Sequence, residues 1–343
     1  MMKYLWYEIK KNLPTLLIIT GICTLLYILQ VSTLTMSETV TWENIQGVTM
    51  SKTNIYEPAF STICVMLAAL CFLVPPLTFS FKMEKRAVDC FYALPLKKEK
   101  LYLAKTLSGL VLIVVPFTVA YWLGFVVLAL REGNPYQMFY YLPAYFGMLG
   151  YAIMLFGVNS FLFTRANKTV DGCAFMWAYI WILAYAALVI LEIFDGEMGD
   201  VESSILLCLL SPGGMGWFDV NMGTLIVGGG SVASMDWTAW MFVLPALFGV
   251  AGYFGLFFSL RYEKAENAEQ VSDSWFGYKV LIPLFTALTL GLMGEILDIL
   301  LFAVIAVVSV ILNIVYKRTF KLSGEDWIRI GIGLFVGVIL ALV

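Results

Sequence analysis

Long runs of residues without a single charge constrain this chain more than any other feature. Six runs approach or exceed the ~20 apolar residues that a helix needs to cross ~30 Å of hydrocarbon. These runs are 12–37, 58–81, 106–130, 133–164, 172–191 and 237–260. Charged residues make up only 13% of the 343 residues, about half the ~25% of a soluble domain. The runs therefore predict a helical membrane protein with many spans.

Three weaker apolar runs follow at 280–294, 299–316 and 330–343. They are short for a span, and each needs local thinning of the bilayer to cross it. Together the nine runs predict an all-α polytopic membrane protein. Its core has six spans, and about three further transmembrane helices follow toward the C-terminus.

The distribution of lysine and arginine predicts the orientation, because short loops rich in these residues stay in the cytoplasm. With a cytoplasmic N-terminus and nine alternating spans, all 21 basic residues except Lys52 and Arg131 lie inside. The N-terminal segment lacks a small-residue cleavage site, so the first span is expected to be an uncleaved anchor.

Three regions follow from this pattern. Residues 1–12 place apolar side chains on one helical face, which predicts an amphipathic helix on the inner leaflet. Residues 13–260 form the six-span core. Within that core, 195–236 is an external segment whose apolar part breaks after about two turns, as in re-entrant or interfacial pieces. Residues 261–343 form a C-terminal extension with about three spans.

Several kinds of chemistry are excluded. The chain contains no histidine, which removes histidine-based acid–base catalysis and the usual zinc and haem ligands. No glycine-rich phosphate loop with its lysine occurs. The acidic residues near predicted spans are Asp171, Glu192, Glu295 and Asp298. All four fall near an interface by residue count, where capping and turn solvation are the simpler roles. We therefore expect no enzymatic activity, no metal, no cofactor and no nucleic-acid partner.

A dense charged island at 82–105 separates the second and third runs. Four apolar residues within it recur at helical spacing and predict one apolar face: Ala87, Val88, Phe91 and Leu94. Pro95 ends this helix, because it lacks an amide proton and restricts the residue before it. A second helix, 96–105, is expected to begin with Pro95 in its first turn and to run into the third span. The pattern predicts a stiff amphipathic elbow on the inner surface, with its charges exposed.

Two interpretations of this elbow are open from the pattern alone. A stiff elbow would tilt the second and third spans when another protein pushes on it. A basic loop between two spans can also serve only to fix the orientation of the chain.

Small residues recur at helix-packing spacing in two of the apolar runs. They are Gly249, Gly252 and Gly255 in the sixth run, and Gly333 and Gly337 in the ninth. Such glycines let helices approach closely in lipid. They could form a dimer seam around a transport path, or they could simply pack helices within one chain.

The elbow and the residues after it resemble the cytoplasmic segment that follows the second span in type-2 ABC exporter permeases. The matching stretch is 85–110, with the sequence KRAVDCFYALPLKKEKLYLAKTLSGL. The resemblance is closest to acetoin-utilisation-type permeases of Gram-positive bacteria, in which Lys-Arg-x-Val-Asp leads to Leu-Pro-hydrophobic-Lys/Arg. In that family this segment is the coupling helix that docks into a groove of the ATPase subunit. The resemblance implies that eight residues lie at that contact: Glu84, Lys85, Arg86, Asp89, Leu94, Pro95, Lys97 and Lys98.

The layout of residues 1–260 is similar to that family, while the spans after Arg261 depart from its six-span core. The resemblance implies a multi-pass subunit of an ABC exporter in a bacterial plasma membrane, which uses ATP bound by a partner ATPase subunit. A second permease, identical or paralogous, would complete the complex. The apolar, charge-poor spans fit a hydrophobic or amphipathic substrate, such as a peptide, an antibiotic or a lipid-linked molecule.

Two other functions are alternatives. An ion-coupled secondary transporter should show inverted repeats and ionisable residues at the midplane, and the sequence shows neither. A non-transporting membrane sensor or scaffold for antimicrobial peptides is the second alternative. It would share the same apolar spans.

Overall fold

A computed structural model describes most of the chain. The described residues are 2–33, 38–43, 49–54, 61–93, 95–130, 138–193, 240–260, 265–270, 272, 274–293, 299–317 and 319–342. This part of the chain forms eleven α-helices, two short 3-10 turns and one pair of strands. The helices are α1 (Met2–Lys11), α2 (Leu13–Thr33), α3 (Ser61–Phe79), α4 (Lys85–Tyr92), α5 (Lys98–Ala129), α6 (Met138–Thr164), α7 (Thr169–Ile193), α8 (Trp240–Ser259), α9 (Tyr278–Gly291), α10 (Ile299–Lys317) and α11 (Gly324–Leu342).

The predicted apolar runs are helical over nearly all of the residues that the structure describes. Five helices are long and apolar enough to cross a membrane, judged by length and composition: Leu13–Thr33, Thr62–Lys82, Lys98–Ala129, Tyr145–Thr164 and Ile299–Lys317. Two shorter apolar helical stretches lie at Ala246–Ser259 and Tyr278–Gly291. The prediction of an α-helical protein with several membrane-spanning helices is therefore confirmed, whereas the division into six and three spans stays a prediction.

The polar segment after the first span contains a β-hairpin that the all-α prediction did not include. Strand β1 (Glu38–Glu43) pairs antiparallel with strand β2 (Thr49–Asn54), and Glu38 faces Asn54 in the register. Threonine, valine and tryptophan dominate β1, and these β-branched and aromatic residues favour strands. The apolar runs predict helices only, so they give no indication of this short pair of strands.

The chain divides into two compact units. The first comprises residues 1–74, 100–156 and 214–250. Its core holds a cluster of aromatic rings that includes Phe117, Tyr121 and Tyr145, with neighbouring ring centroids 5.3–5.5 Å apart. The Tyr145 hydroxyl lies 2.9 Å from the Thr118 hydroxyl, so the polar end of that ring is satisfied.

The second unit comprises residues 75–99, 157–213 and 251–343. Helix α9 lies inside it and packs against α7, α10 and α11. Its 14 residues give a length of about 21 Å, less than the ~30 Å thickness of the hydrocarbon. Leu281, Ile282 and Leu290 are buried in this unit. The seventh predicted run thus forms a short, largely buried helix.

Helix α11 begins with a polar cap. Ser323 precedes the helix, and its backbone N–H and its hydroxyl donate to Asp326 Oδ2 at 2.8 and 2.7 Å. Lys317 Nζ, at the end of α10, donates to the same oxygen at 2.5 Å. Asp326 is only 3% exposed. The bond from the Ser323 N–H to the carboxylate is the acidic half of a capping box, with aspartate in the acidic position. The contact from Lys317 joins the end of α10 to the start of α11.

We expect Asp326→Asn to lower the free energy of unfolding by about 1–2 kcal/mol near neutral pH. Burial alone raises the pKa of the Asp326 carboxyl, but hydrogen bonds from Lys317 and Ser323 outweigh it and hold that pKa below its usual 3.8. A depressed pKa stabilises the fold above the unfolded pKa, and this stabilisation is lost as the pH falls through the folded value. Thermal unfolding in detergent should therefore show a constant difference from wild type above about pH 5 that shrinks below the unfolded pKa of 3.8.

The matched control for this prediction is Glu325→Gln. Glu325 is the neighbouring carboxylate, 80% exposed, and pairs with Arg329 one turn along the helix. Exposed pairs of this kind contribute about 0.3–0.5 kcal/mol. An equal loss in both variants would contradict the role assigned to the Asp326 cap.

Candidate partner-contact site

The predicted elbow is present as two helices joined by a turn. Helix α4 covers Lys85–Tyr92, and Ala93 closes it by donating its backbone N–H to Asp89 O at 3.1 Å. Helix α5 then runs without a break from Lys98 to Ala129. The second arm of the elbow is thus the start of a long apolar helix.

The boundaries of the two arms differ from those predicted from the sequence. The second helix begins at Lys98 rather than at Leu96, so Pro95 lies in the turn and not in the first helical turn. Residues 93–97 contain no serine, threonine, aspartate or asparagine that could fix a helix start. Leu94, assigned to the apolar face, lies outside the described residues.

Helix α4 has one apolar side and one charged side. Val88 is 1% exposed, and Ala87 and Phe91 are half-buried. The residues on the opposite side are exposed, as are those of the following turn. The exposed charged residues are Glu84, Lys85, Arg86, Asp89, Lys97, Lys98, Glu99 and Lys100. Six of the eight residues assigned to a partner contact are therefore exposed charges, and Pro95 is exposed as well.

Two contacts of aromatic rings hold helix α4 in place. The Phe91 ring packs on Phe81, with centroids 4.8 Å apart. The Lys98 ammonium lies 4.5 Å from the centroid of the Tyr92 ring, a cation–π contact across the elbow turn. These contacts join both arms of the elbow to each other and to the chain before it, so they stiffen it.

A residue of the C-terminal extension also reaches α4. Glu269 Oε2 lies 3.4 Å from Lys85 Nζ. Glu269 has a φ of 67°, the only positive φ of a non-glycine residue in the described chain, a conformation that costs energy unless the surroundings fix it. Its N–H donates to Asn167 O at 2.9 Å. The extension therefore lies against both α4 and the α6–α7 turn. The Lys85 pair is exposed, so it contributes at most about 1 kcal/mol.

The same turn between α6 and α7 is fixed by further hydrogen bonds. Lys82 Nζ donates to Thr164 O. The Ser272 hydroxyl donates to Arg165 O at 2.6 Å, and the Tyr316 hydroxyl donates to Ser272 O at 2.7 Å. The chain before α4, the α6–α7 turn and the extension thus form one hydrogen-bonded network within the second unit.

The sequence pattern missed the most buried charges in the first unit. Lys105 Nζ lies 2.9 Å from Glu8 Oε2, and their side chains are only 7% and 1% exposed. The Tyr4 hydroxyl donates to Glu8 Oε1 at 2.6 Å, and Asn12 Nδ2 donates to Ser108 Oγ at 3.3 Å. The elbow was predicted to expose its charges, and Lys105, its last residue, is a buried exception. Helix α1 is therefore fixed to α5 by a buried ion pair.

Tyr4 keeps its proton in this arrangement. Burial and then the hydrogen bond to Glu8 raise the pKa of the Tyr4 hydroxyl well above its usual value. It stays a donor at any physiological pH. A signal for the pair exists in the sequence: Glu8 is the only acidic residue before Glu38, and Lys105 is the last basic residue before a long apolar run.

The five glycines assigned to helix packing all lie close to other helices. A Cβ atom added at any of them would approach a heavy atom to less than 3.0 Å. The residues approached by Gly249, Gly252, Gly255, Gly333 and Gly337 are Met154, Val158, Phe161, Pro283 and Leu290. At Gly252 and Gly333 the approached atoms are backbone. These contacts are made within one chain, and the dimer seam stays a prediction.

Other predicted residues fall elsewhere. Asp171 lies in the first turn of α7, where Tyr278 Oη donates to its Oδ1 at 3.3 Å. Glu192 is near the end of the same helix. Glu295, Asp298 and the external segment 195–236 lie outside the described residues.

Comparisons with protein-family models, with curated proteins and with solved structures found no match to this chain.

Proposed function

We propose that this chain is the membrane-spanning subunit of an ABC exporter and that the elbow receives the motion of a separate ATPase subunit. The observation that supports this most strongly is the construction of the elbow. Helix α4 keeps its apolar side buried at Val88 and exposes charges on the other side. A short surface helix with this division can bind a partner groove without losing its own packing.

The continuity of the second arm supports transmission of force. Helix α5 extends over 32 residues from Lys98, or about 48 Å at 1.5 Å per residue. A displacement of its first turn would be carried along the helix, whose backbone hydrogen bonds are interrupted only where Pro116 lacks an amide proton. The cation–π contact between Lys98 and Tyr92 also links α4 to the start of α5 and contributes about 0.5–1 kcal/mol.

A hydrophobic or amphipathic substrate fits this proposal best. Residues on the exposed sides of α2 and α10 are almost entirely apolar, including Leu17, Leu25, Val307 and Val315. The proposed complex contains two ATPase subunits and a second permease, identical or paralogous. Within this proposal we favour export of a substrate over the sensing of a bound peptide without transport.

The test is a pull-down of the tagged chain from its native membrane with the triple variant Arg86→Glu/Lys97→Glu/Lys98→Glu. All three side chains are exposed, so we expect the variant to fold and insert. Removing several charge contacts at an interface costs on the order of 2–5 kcal/mol for each well-formed pair. We therefore expect recovery of an ATPase with wild type and loss of at least about ten-fold with the variant.

The control is Lys3→Glu/Lys10→Glu/Lys321→Glu, which makes the same change in net charge at exposed positions outside the elbow. This variant should recover the ATPase as wild type does. Absence of an ATPase in the wild-type sample would refute the proposal and favour the secondary transporter or the scaffold. An equal loss in both triple variants would show that bulk charge, and not the elbow, is responsible.

A further inference from the structure

A cavity of about 250 Å³ lies between α7, α9 and α10 in the second unit. Its wall is formed by residues from all three helices and from the turn before α7. They are Lys168, Asp171, Tyr278, Ile282, Leu312, Val315 and Tyr316. This volume is below the ~300–1,000 Å³ of pockets that enclose drug-sized ligands. The cavity therefore suits a small polar group better than an entire large molecule.

The polar part of the cavity carries one positive and one negative charge. Lys168 and Asp171 are three residues apart at the start of α7, so they are neighbours on one side of the helix. Among the residues that the structure describes, no carboxylate lies within ion-pair distance of Lys168, and Asp171 Oδ2 accepts no hydrogen bond. Both charges line the cavity, and each has capacity for a ligand of opposite sign.

Aromatic rings hold the carboxylate in place. The Tyr278 ring lies between Phe175 and Tyr316, with centroid distances of 4.8 and 4.7 Å. Its hydroxyl donates to Asp171 Oδ1, and the Tyr316 hydroxyl is held by Ser272 O. These rings give the cavity rigid walls, and ring faces also attract cations.

The remaining wall is apolar and partly exposed at the surface of the second unit. Leu312 and Val315 lie on α10, where they are 39% and 66% exposed. This helix is among those long and apolar enough to span. The cavity lies where α7 and α9 begin and α10 ends, which is the depth of lipid headgroups for helices that cross the bilayer.

We propose that this cavity binds a phospholipid with a zwitterionic phosphoethanolamine headgroup. Lys168 holds the phosphate, Asp171 holds the primary ammonium, and the acyl chains run along Leu312 and Val315. A primary ammonium donates hydrogen bonds to the carboxylate, whereas a trimethylated one cannot, so phosphatidylcholine binds more weakly. The site depends on the membrane-spanning character of α10 and is independent of the proposed ABC function.

Native mass spectrometry of the delipidated full chain tests this proposal. The protein is titrated separately with phosphatidylethanolamine, phosphatidylcholine and phosphatidylglycerol of identical acyl chains. Wild type should prefer phosphatidylethanolamine. Asp171→Asn should weaken its binding about ten-fold, the loss of one charge-assisted contact. The same variant should not weaken the binding of phosphatidylglycerol, because the carboxylate repels that anionic headgroup. Lys168→Met should weaken both, because both carry the phosphate.

Two further variants separate the site from general effects. Val315→Trp changes an exposed residue at the mouth of the cavity and should block phosphatidylethanolamine without touching either charge. Glu266→Gln, an exposed carboxylate outside the cavity, should bind as wild type does. Equal binding of the three lipids to every variant would overturn the proposal, as would an equal loss of all lipids in Asp171→Asn. Full displacement of the lipid by free phosphoethanolamine at equal concentration would also overturn it, since a soluble zwitterion would then be the ligand.

Discussion

Replacing Glu8 with alanine is expected to lower the free energy of unfolding by about 3–5 kcal/mol, because it leaves the buried Lys105 ammonium without its counter-ion. The two side chains are 1% and 7% exposed and their charged atoms lie 2.9 Å apart. The Tyr4 hydroxyl, which donates to the same carboxylate, would lose its acceptor as well. Thermal and denaturant unfolding of the purified chain in detergent measure this loss.

A double variant that lacks both charges shows whether the loss comes from the pair. In Glu8→Leu/Lys105→Met both charges are replaced by apolar groups of similar volume, and such replacements are often neutral or stabilising. We expect this double variant to be more stable than Glu8→Ala. The control is Glu99→Ala, an exposed residue in the same helix as Lys105, which should change stability by less than about 0.5 kcal/mol. A Glu8→Ala variant as stable as Glu99→Ala would contradict the buried pair.

Alanine at two glycines of α11 should have opposite effects on stability. A Cβ at Gly331 would meet nothing within 4 Å, so Gly331→Ala should gain up to about 1 kcal/mol from helix propensity. A Cβ at Gly333 would lie 2.8 Å from Pro283 O and 3.0 Å from Pro283 Cα. Backbone atoms cannot rotate away, so Gly333→Ala should force α9 and α11 apart and lose about 1–3 kcal/mol.

The two substitutions are matched, because they make the same chemical change two residues apart in one helix. Thermal unfolding midpoints in the same detergent compare them directly. If Gly333→Ala were as stable as Gly331→Ala, the close packing of α11 on α9 would be wrong. If both were destabilised, an effect on membrane insertion or on the detergent-bound state would be the simpler cause.

Apolar runs predicted the helices well because their signal is long and redundant. Each run contributes many residues to the same conclusion, so α2, α5 and α10 follow from the sequence with nearly their observed bounds. The elbow could also be predicted from the sequence, because Pro95 and the spacing of Val88 and Phe91 are local signals. Neither prediction depends on which helix packs against which.

Features that depend on tertiary contacts could not be predicted in this way. The ion pair between Glu8 and Lys105 joins residues 97 apart. Their positions in the sequence mark each charge separately, but they do not show that the two side chains meet. The short length of α9 and its burial depend on α7, α10 and α11, which pack around it. The strands of the hairpin are stabilised by pairing with each other, which a helix-period search does not detect.

Cross-linking from Cys90 would test the role assigned to the elbow. Cys90 is exposed on α4, whereas Cys23, Cys64 and Cys71 are buried. A benzophenone maleimide on this thiol, added to inside-out vesicles and irradiated, should give an adduct between this chain and an ATPase subunit. The adduct should be absent in Cys90→Ser. If Cys90 is labelled but yields no adduct with an ATPase, or is labelled only from the opposite face, the elbow is not the contact through which an ATPase drives this protein.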